Sequence, residues 1–323
     1  MRTRPTTRLE RGELPLYALV GGGRRGLPWA RFSRGGGPVL CVSSGVHGDE
    51  TSGIRAQQML WRKLQTLTFT GTVFSLPVVN PGAFEAGTRE VAETREDLNR
   101  NFPGRADGSF TERVAHTAFQ ALLAEKPDCH VDLHCDATAS IPYVILDRYL
   151  DARAERLKTK VEELSACFDV LRMYDWPLEL YRSGRLDASL SGSVLNHGQV
   201  PSFTVELGPC RAADESMARL ACRGLLAVMV QLGMLPGKPS SGAGPVTLRR
   251  LTAVRAERSG LVRFRVRPGG RVKAGAPLCE LSGLLDGPPL VLRSPAAGVV
   301  VSMPDRCWCT PGQPLVTLAV ADG

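Results

Sequence analysis

The stretch Val39-Leu40-Cys41-Val42-Ser43-Ser44-Gly45-Val46-His47-Gly48-Asp49-Glu50 decides how the chain is read. Val39 to Ser44 has the length and apolar content of a buried strand, and a helix is predicted over Glu50 to Leu64. Between them stand an imidazole and a carboxylate three residues apart, His47 and Glu50. An H-x-x-E pair at the end of a strand can close on one metal ion. A second imidazole must then come from elsewhere, and His134, in Asp132-Leu133-His134, ends another apolar run. Glu206, in Thr204-Val205-Glu206-Leu207-Gly208, adds a carboxylate inside a predicted strand, where burial without a partner is costly. Two His and one carboxylate on zinc, with an open position and a further acid nearby, are the parts of a metal-assisted amide hydrolase. Each residue alone has a plainer reading: packed or backbone-satisfied histidines, and a Glu50 that complements a helix dipole. Four such residues at strands that end on one edge of a sheet favour the metal reading.

Outward from this stretch, strand-like and helix-like segments alternate over the first 235 residues. Strands are predicted at Thr72–Val79, Cys129–Leu133, Pro142–Leu146 and Ser202–Leu207, and helices at Phe110–Leu123, Leu150–Phe168 and Ala213–Leu232. The helix after Glu50 presents Ile54, Met59, Leu60 and Leu64, and the last one Met217, Leu220, Leu225 and Met229. This order predicts an α/β fold with a mixed, largely parallel sheet flanked by helices over residues 1–235. Residues 236–245, rich in Pro, Gly and Ser, read as a linker. In residues 246–323 the helical period vanishes and short strands alternate with Pro-Gly and Gly-Gly turns. Ser259-Gly260-Leu261-Val262 leading to Pro268-Gly269 resembles Ala297-Gly298-Val299-Val300 leading to Pro311-Gly312. Two similar halves predict a small all-β barrel or sandwich. This part resembles the barrel-sandwich hybrid of biotinyl and lipoyl domains. It lacks their modified Lys at an exposed hairpin tip, so no swinging cofactor arm is expected.

A chain of 323 residues is long enough for one large domain and a smaller second one. With 43% apolar and 22% charged residues it has the composition of a soluble globular protein. The net charge of +8 is uneven, because eleven Lys+Arg face five Asp+Glu from Gly244 onward. There the basic residues alternate with apolar ones, as in Val262-Arg263-Phe264-Arg265-Val266-Arg267, which marks the solvent face of half-buried strands and argues against nucleic-acid binding. The nine Cys show no C-x-x-C spacing. Cys307-Trp308-Cys309 is too tight for a metal site and reads as two inward-facing strand residues. No apolar run has the length of a signal peptide or a membrane span, so a cytoplasmic protein with reduced thiols and no membrane partner is expected. A homo-oligomer is left open.

Asp97-Leu98-Asn99-Arg100-Asn101-Phe102-Pro103-Gly104 supplies the substrate side. An Arg guanidinium binds a carboxylate through two N–H groups and a neighbouring Asn amide adds another hydrogen bond. The plainer reading is a polar loop capped by Asp97 and Asn99. Together, H-G-D-E, D-L-N-R-N-F-P-G, D-L-H and V-E-L-G resemble the succinylglutamate desuccinylase/aspartoacylase family, within the zinc carboxypeptidase clan. That family also carries a β-rich domain after the catalytic one. The resemblance implies one zinc ion per chain held by His47, Glu50 and His134, with Glu206 as general base and Asn99 and Arg100 as binders of a substrate carboxylate. It also implies an Arg, shortly before the Asp-Leu-Asn-Arg run, that polarises the scissile carbonyl. The usual spacing falls on Ala92, so Arg89 is the candidate and Arg95 the second. Two imidazoles and one carboxylate suit zinc, with cobalt or manganese as other occupants. In the charged stretch Tyr181 to Asp187, Arg182 or Arg185 is a candidate for a second substrate carboxylate, against a solvated loop as the plain alternative. The implied activity is hydrolysis of the amide of an N-acyl amino acid, or a similar small carboxylate-bearing amide. The alternative is a metallocarboxypeptidase acting on short peptides. A non-catalytic binding protein ranks below both, because all four motif residues are present.

Overall fold

Two long antiparallel strands, β1 (Arg8–Ala18) and β2 (Arg24–Arg34), open the chain in the computed structural model, which describes residues 6–18, 23–239, 244–285, 287–304 and 308–322. The sequence reading does not anticipate this hairpin. β1 is dense in charge (Arg8, Glu10, Arg11, Glu13) and its pairing shifts between Pro15 and Tyr17, both features of an edge strand. β2 buries Leu27, Ala30 and Phe32, enough to anchor the pair.

β3 (Val39–Ser44) has the predicted bounds and is buried along nearly its whole length, as a central parallel strand must be. The following helix, α1, spans Ser52–Leu64, so Glu50 lies in the connecting loop and not in the helix. β4 (Gly71–Leu76) pairs parallel to β3 and antiparallel to β2. α2 (Pro81–Ala86) is capped by Asn80, and α3 (Phe110–Ala124) by a reciprocal Ser109–Glu112 capping box. Next come β5 (Cys129–Asp136), the short β6 (Ala139–Ser140) and β7 (Pro142–Leu146). The helix predicted over Leu150–Phe168 is divided into α4 (Ala152–Glu155), α5 (Lys158–Ser165) and a final 3-10 turn. A tightened turn separates the first two, where Leu157 N–H donates to the Ala154 carbonyl at 2.9 Å. β8 (Leu171–Tyr174), α6 (Leu178–Ser183), α7 (Leu190–Asn196), β9 (Ser202–Pro209) and α8 (Glu215–Gln231) follow.

The sheet order over this part is β1-β2-β4-β3-β5-β9-β7-β8. The four central strands β4, β3, β5 and β9 run parallel, and β7 enters antiparallel beside β9. The sheet is therefore mixed, with a parallel centre and helices on both faces, as expected. One apolar layer gathers Leu60, Leu164 and Leu225 from α1, α5 and α8; the other gathers Ala118, Leu122 and Val194 from α3 and α7. The buried stripe of α8 is Ala218, Ala221, Cys222, Leu225, Val228 and Met229, so Met217 and Leu220 lie at its margin and small residues let the helix approach α1.

After Gly244 the described residues form strands only. These are β10 (Leu248–Arg255), β11 (Gly260–Phe264), β12 (Arg271–Val272), β13 (Pro277–Ser282), β14 (Leu290–Arg293), β15 (Gly298–Met303), β16 (Trp308–Cys309) and β17 (Pro314–Ala321). The two similar segments, at β11 and β15, lie in different sheets: β14-β13-β11-β16, and the run β10-β17-β15-β12 that continues the large sheet through β8. Their turn glycines match, Gly269 at φ 83° and Gly312 at φ 82°, a backbone that favours Gly. Arg263, Arg265 and Arg267 are exposed while Val262, Phe264 and Val266 are half-buried, as the alternation requires. This part has an apolar cluster of its own, and a second cluster joins Val301 and Ala319 to Tyr143, Ile145 and Met173. Residues 240–243 of the linker, and Cys307, lie outside the described residues; Cys309 is buried beside an exposed Trp308. No helix of the described residues is long and apolar enough to cross a membrane.

The loop between β3 and α1 depends on close backbone approach. A Cβ on Gly48 would lie 2.0 Å from the Ala83 carbonyl carbon and 2.3 Å from the Phe84 nitrogen, while the Gly48 N–H donates to the Thr88 carbonyl at 2.8 Å. Gly48→Ala is expected to lower stability by about 1–3 kcal/mol through overpacking against backbone. Urea unfolding checks this as a lower midpoint at constant slope; an unchanged midpoint would mean that the loop yields freely.

Candidate metal centre and active site

β3 and β5 are neighbours whose chain connections leave in opposite directions, and at such a point the carboxyl ends of parallel strands open a crevice. His47 enters it from the loop after β3, and His134 from near the end of β5. Glu50 lies between them: its Oε1 is 2.7 Å from His47 Nδ1, and its Oε2 is 2.8 Å from His134 Nδ1. The Cys135 backbone N–H also donates to Glu50 Oε2, at 2.9 Å. All three side chains are buried, and one ligand atom from each lies within 4.8 Å of the others. The structure thus brings the three predicted ligands together, in the chemistry of a divalent-cation site with nitrogen and oxygen donors.

The remaining imidazole nitrogens are held by carboxylates. His47 Nε2 is 3.0 Å from Asp97 Oδ1, and His134 Nε2 is 2.9 Å from Asp132 Oδ2. Such partners fix ring orientation and leave the opposite nitrogen to face a metal. Asp132 is held in turn by the Ser43 hydroxyl, which donates to its Oδ1 at 2.5 Å and meets His130 Nε2 at 2.8 Å. Charge follows geometry. Burial alone would raise the Glu50 carboxyl, but the two imidazoles hold it well below the usual range. Burial alone would lower His134, but Asp132 and Glu50 raise it. The sequence reading misses Asp132, although the period of two along a strand puts it on the face of His134. Capping by Asp97 is only the plainer alternative in the sequence reading, and the structure gives Asp97 both tasks: the Asn99 N–H donates to the same Oδ1 at 2.9 Å.

Glu206 lies beside His134, because β5 and β9 pair in parallel with these two residues in register. Its Oε2 is buried and has no hydrogen-bond partner among the described residues. Burial, together with the charges of Asp136 and Glu50, pushes its carboxyl up to about 8. A divalent cation on the three neighbouring ligands acts in the opposite sense and favours the ionised form.

These groups open onto a cavity of about 340 Å³, lined also by Arg89, Asn99 and Arg100. Arg89 Nη2 donates to Asp97 Oδ2 at 3.0 Å, and its Nη1 lies 3.4 Å from Glu50 Oε1. Arg95 is not among the lining residues. Asn99 Oδ1 accepts the Leu190 N–H at 2.8 Å, which leaves the amide nitrogen as the free donor end of the side chain. Arg182 and Arg185 do not line the cavity. The turn that carries them buries Tyr181 and Leu186 and directs both arginines to solvent. In their place the cavity wall holds Asp147 and Asp175, from the ends of β7 and β8, and Arg250 from β10. Arg250 pairs with Asp175 at 2.8 Å and stands over the Trp176 ring at 4.7 Å. Only strand pairing brings these residues together, and no local pattern announces it.

Proteins of known sequence and structure resemble this chain. An N-alpha-acetyl-L-2,4-diaminobutyric acid deacetylase of Halomonas elongata is 29% identical over 214 residues, which is 66% of this chain and 60% of that enzyme's length. Among solved structures, a succinylglutamate desuccinylase/aspartoacylase of Rhodobacter sphaeroides superposes with a TM-score of 0.84 at 24% identity, over 99% of this chain and 97% of that one. A metallo-carboxypeptidase of Pseudomonas aeruginosa shares the fold over 69% of this chain and 64% of its own, with a TM-score of 0.53 at 20% identity. Residues 36–232 match the model of the succinylglutamate desuccinylase/aspartoacylase catalytic domain, and the chain belongs to that family.

Proposed function

We propose that the protein is a zinc-dependent hydrolase that cleaves the amide bond of an N-acyl amino acid, or of a similar small amide carrying a carboxylate. The observation that carries this reading is the buried His47–Glu50–His134 donor set lining a cavity with Glu206, whose Oε2 has no hydrogen-bond partner among the described residues. His47 and His134 would hold zinc through Nδ1, and Glu50 through its carboxylate. When bound, the ion supplies Lewis acidity and brings the pKa of a coordinated water down to about 7. The division of labour along the chain also belongs to this reading: residues 1–235 carry the chemistry, 236–245 connect, and 246–323 form a β-rich unit that contributes Arg250 to the cavity wall. A cytoplasmic location fits small-molecule metabolism of this kind.

The protein's own groups then have separable tasks. Asn99 and Arg100 bind the carboxylate of the amino-acid half, the guanidinium contributing paired donors. Arg89 offers N–H groups to the carbonyl oxygen as charge develops on it; one such donor is worth roughly 3 kcal/mol of barrier. Glu206 takes the proton from the attacking water and hands it to the leaving amine, so that one carboxylate serves as base and then as acid. Burial of the site strengthens each of these electrostatic contacts.

A screen of N-acetyl and N-succinyl amino acids against zinc-loaded protein, reading released amine, tests the reaction. Release from at least one of them is expected, and cleavage of short peptides with none from acyl amino acids would transfer the assignment to a carboxypeptidase. Glu206→Gln is expected to keep one zinc per chain and lose about 100- to 10,000-fold in kcat; near-normal turnover would remove Glu206 from the mechanism. Asp132→Asn is expected to weaken zinc affinity about 10- to 100-fold by loosening the His134 ring, measured by competition with a chromophoric chelator. Equal affinity in variant and wild type would leave Asp132 a purely structural acid.

A further inference from the structure

The cavity wall continues from Glu206 along two paired strands. β7 and β9 are antiparallel, with Tyr143 opposite Glu206 and Ile145 opposite Thr204. Side chains alternate along a strand, so the face that carries Glu206 next carries Thr204 and Ile145, and then Asp147, one residue beyond the end of β7. All four line the cavity.

Asp147 is unlike the other acids there. It is only 3% exposed, its Oδ1 accepts the Tyr181 hydroxyl at 2.8 Å, and its Oδ2 is buried with no hydrogen-bond partner among the described residues. The nearby Ser191 hydroxyl meets Thr204 Oγ1 at 2.8 Å and also acts on the Asp147 carboxyl. Two guanidiniums of the cavity are paired with other acids, Arg250 with Asp175 at 2.8 Å and Arg89 with Asp97 at 3.0 Å, and Arg100 donates to the Asn99 carbonyl at 2.6 Å. Burial, with the charges of Asp175 and Asp132, pushes its carboxyl up to about 7 against the hydrogen bonds of Ser191 and Tyr181. A buried carboxylate oxygen without a partner, on a residue that lines a cavity, is costly unless a ligand completes it. One carboxylate among Ser and Thr hydroxyls matches an ammonium group, which carries three donors and no acceptor. It offers too few oxygen ligands for a hard divalent cation.

The same wall fixes which half of the substrate meets Asp147. Asn99 Oδ1 accepts the Leu190 N–H at 2.8 Å, and the next residue, Ser191, meets Thr204 on the wall that leads to Asp147, so the Asn99–Arg100 pair reaches the same part of the cavity as that acid. We propose that Asp147 receives the side-chain ammonium group of the amino-acid half, so that the substrates are N-acyl derivatives of diamino acids. This rests on the amide-hydrolase reading above and narrows it. An acidic amino acid such as glutamate would present a carboxylate to Asp147 and is disfavoured by like-charge repulsion in a buried place.

The test compares kcat/KM of the zinc-loaded protein for Nα-acetyl-2,4-diaminobutyrate, Nα-acetylornithine and Nα-acetyllysine with that for the uncharged Nα-acetylnorvaline and the acidic Nα-acetylglutamate. The best diamino substrate is expected to exceed both by at least about 100-fold, as for a site built to pair a buried polar group. Asp147→Asn, which retains an acceptor for Tyr181, is expected to collapse that ratio to within a few-fold. Calorimetric binding of free 2,4-diaminobutyrate, ornithine, lysine and norvaline to the wild-type protein provides a readout independent of turnover and of the variant's folding. Equal binding of diamino acids and norvaline, or hydrolysis of all acyl amino acids alike, would overturn the inference while leaving the hydrolase standing. Selective binding of a diamino acid without hydrolysis of any acyl amino acid would instead keep the subsite and remove the reaction.

Discussion

The structure turns on one carboxylate with an imidazole at each oxygen. Glu50 meets His47 through Oε1 and His134 through Oε2, so a loop after one strand and the end of its neighbour are fixed to each other by a single side chain. From this clamp hydrogen bonds run outward in both directions. One arm passes from His47 to Asp97 and Arg89 at the cavity mouth. The other passes from His134 to Asp132, Ser43, His130 and Ser202 inside the sheet. Placing so many ionisable groups away from water is unfavourable beside an apolar core of the same volume, and breaking one pair in such a set costs about 3–5 kcal/mol. The cluster is therefore poorly explained as a device for stability. It is well explained as a preorganised site, with each ring held from behind by a carboxylate while its other nitrogen faces the shared position.

The topology supplies the rest of the geometry. Neighbouring strands lie about 4.8 Å apart, so the register of Glu206 with His134 puts a second carboxylate next to the clamp without joining it. The antiparallel entry of β7 then extends the same face away from Glu206, and that face becomes the cavity wall. Glu206, beside the clamp, and the cavity wall are thus successive positions on one pleated surface.

This organisation explains what could be read from the sequence. The strand at Val39–Ser44 and the short motifs at its end and at Asp132–His134 were legible because an apolar run, a turn and a ligand follow one another locally. The parallel centre of the sheet was legible for the same reason, as alternating strand-like and helix-like periods. The β1–β2 hairpin was not, because an edge strand with one packed face carries charge and Pro that resemble a loop. Arg182 and Arg185 looked eligible because charge in a loop is visible in one dimension, whereas the burial of Tyr181 and Leu186 that turns them outward is not. Asp147, Asp175 and Arg250 could not be grouped at all: their proximity comes from pairing among β7, β8 and β10, across more than a hundred residues of chain.

Arg250 shows why the segment after the linker matters to the site. It is contributed by β10, which extends the large sheet beyond β8, and its guanidinium is held between Asp175 and the face of Trp176. A buried ion pair of this kind adds little net stability, since desolvation offsets the attraction. Its consequence is positional. With Arg250 tied to Asp175 at 2.8 Å, its guanidinium forms no ion pair with Asp147 among the described residues. The strands after Gly244 therefore close a cavity wall and occupy one of its acids.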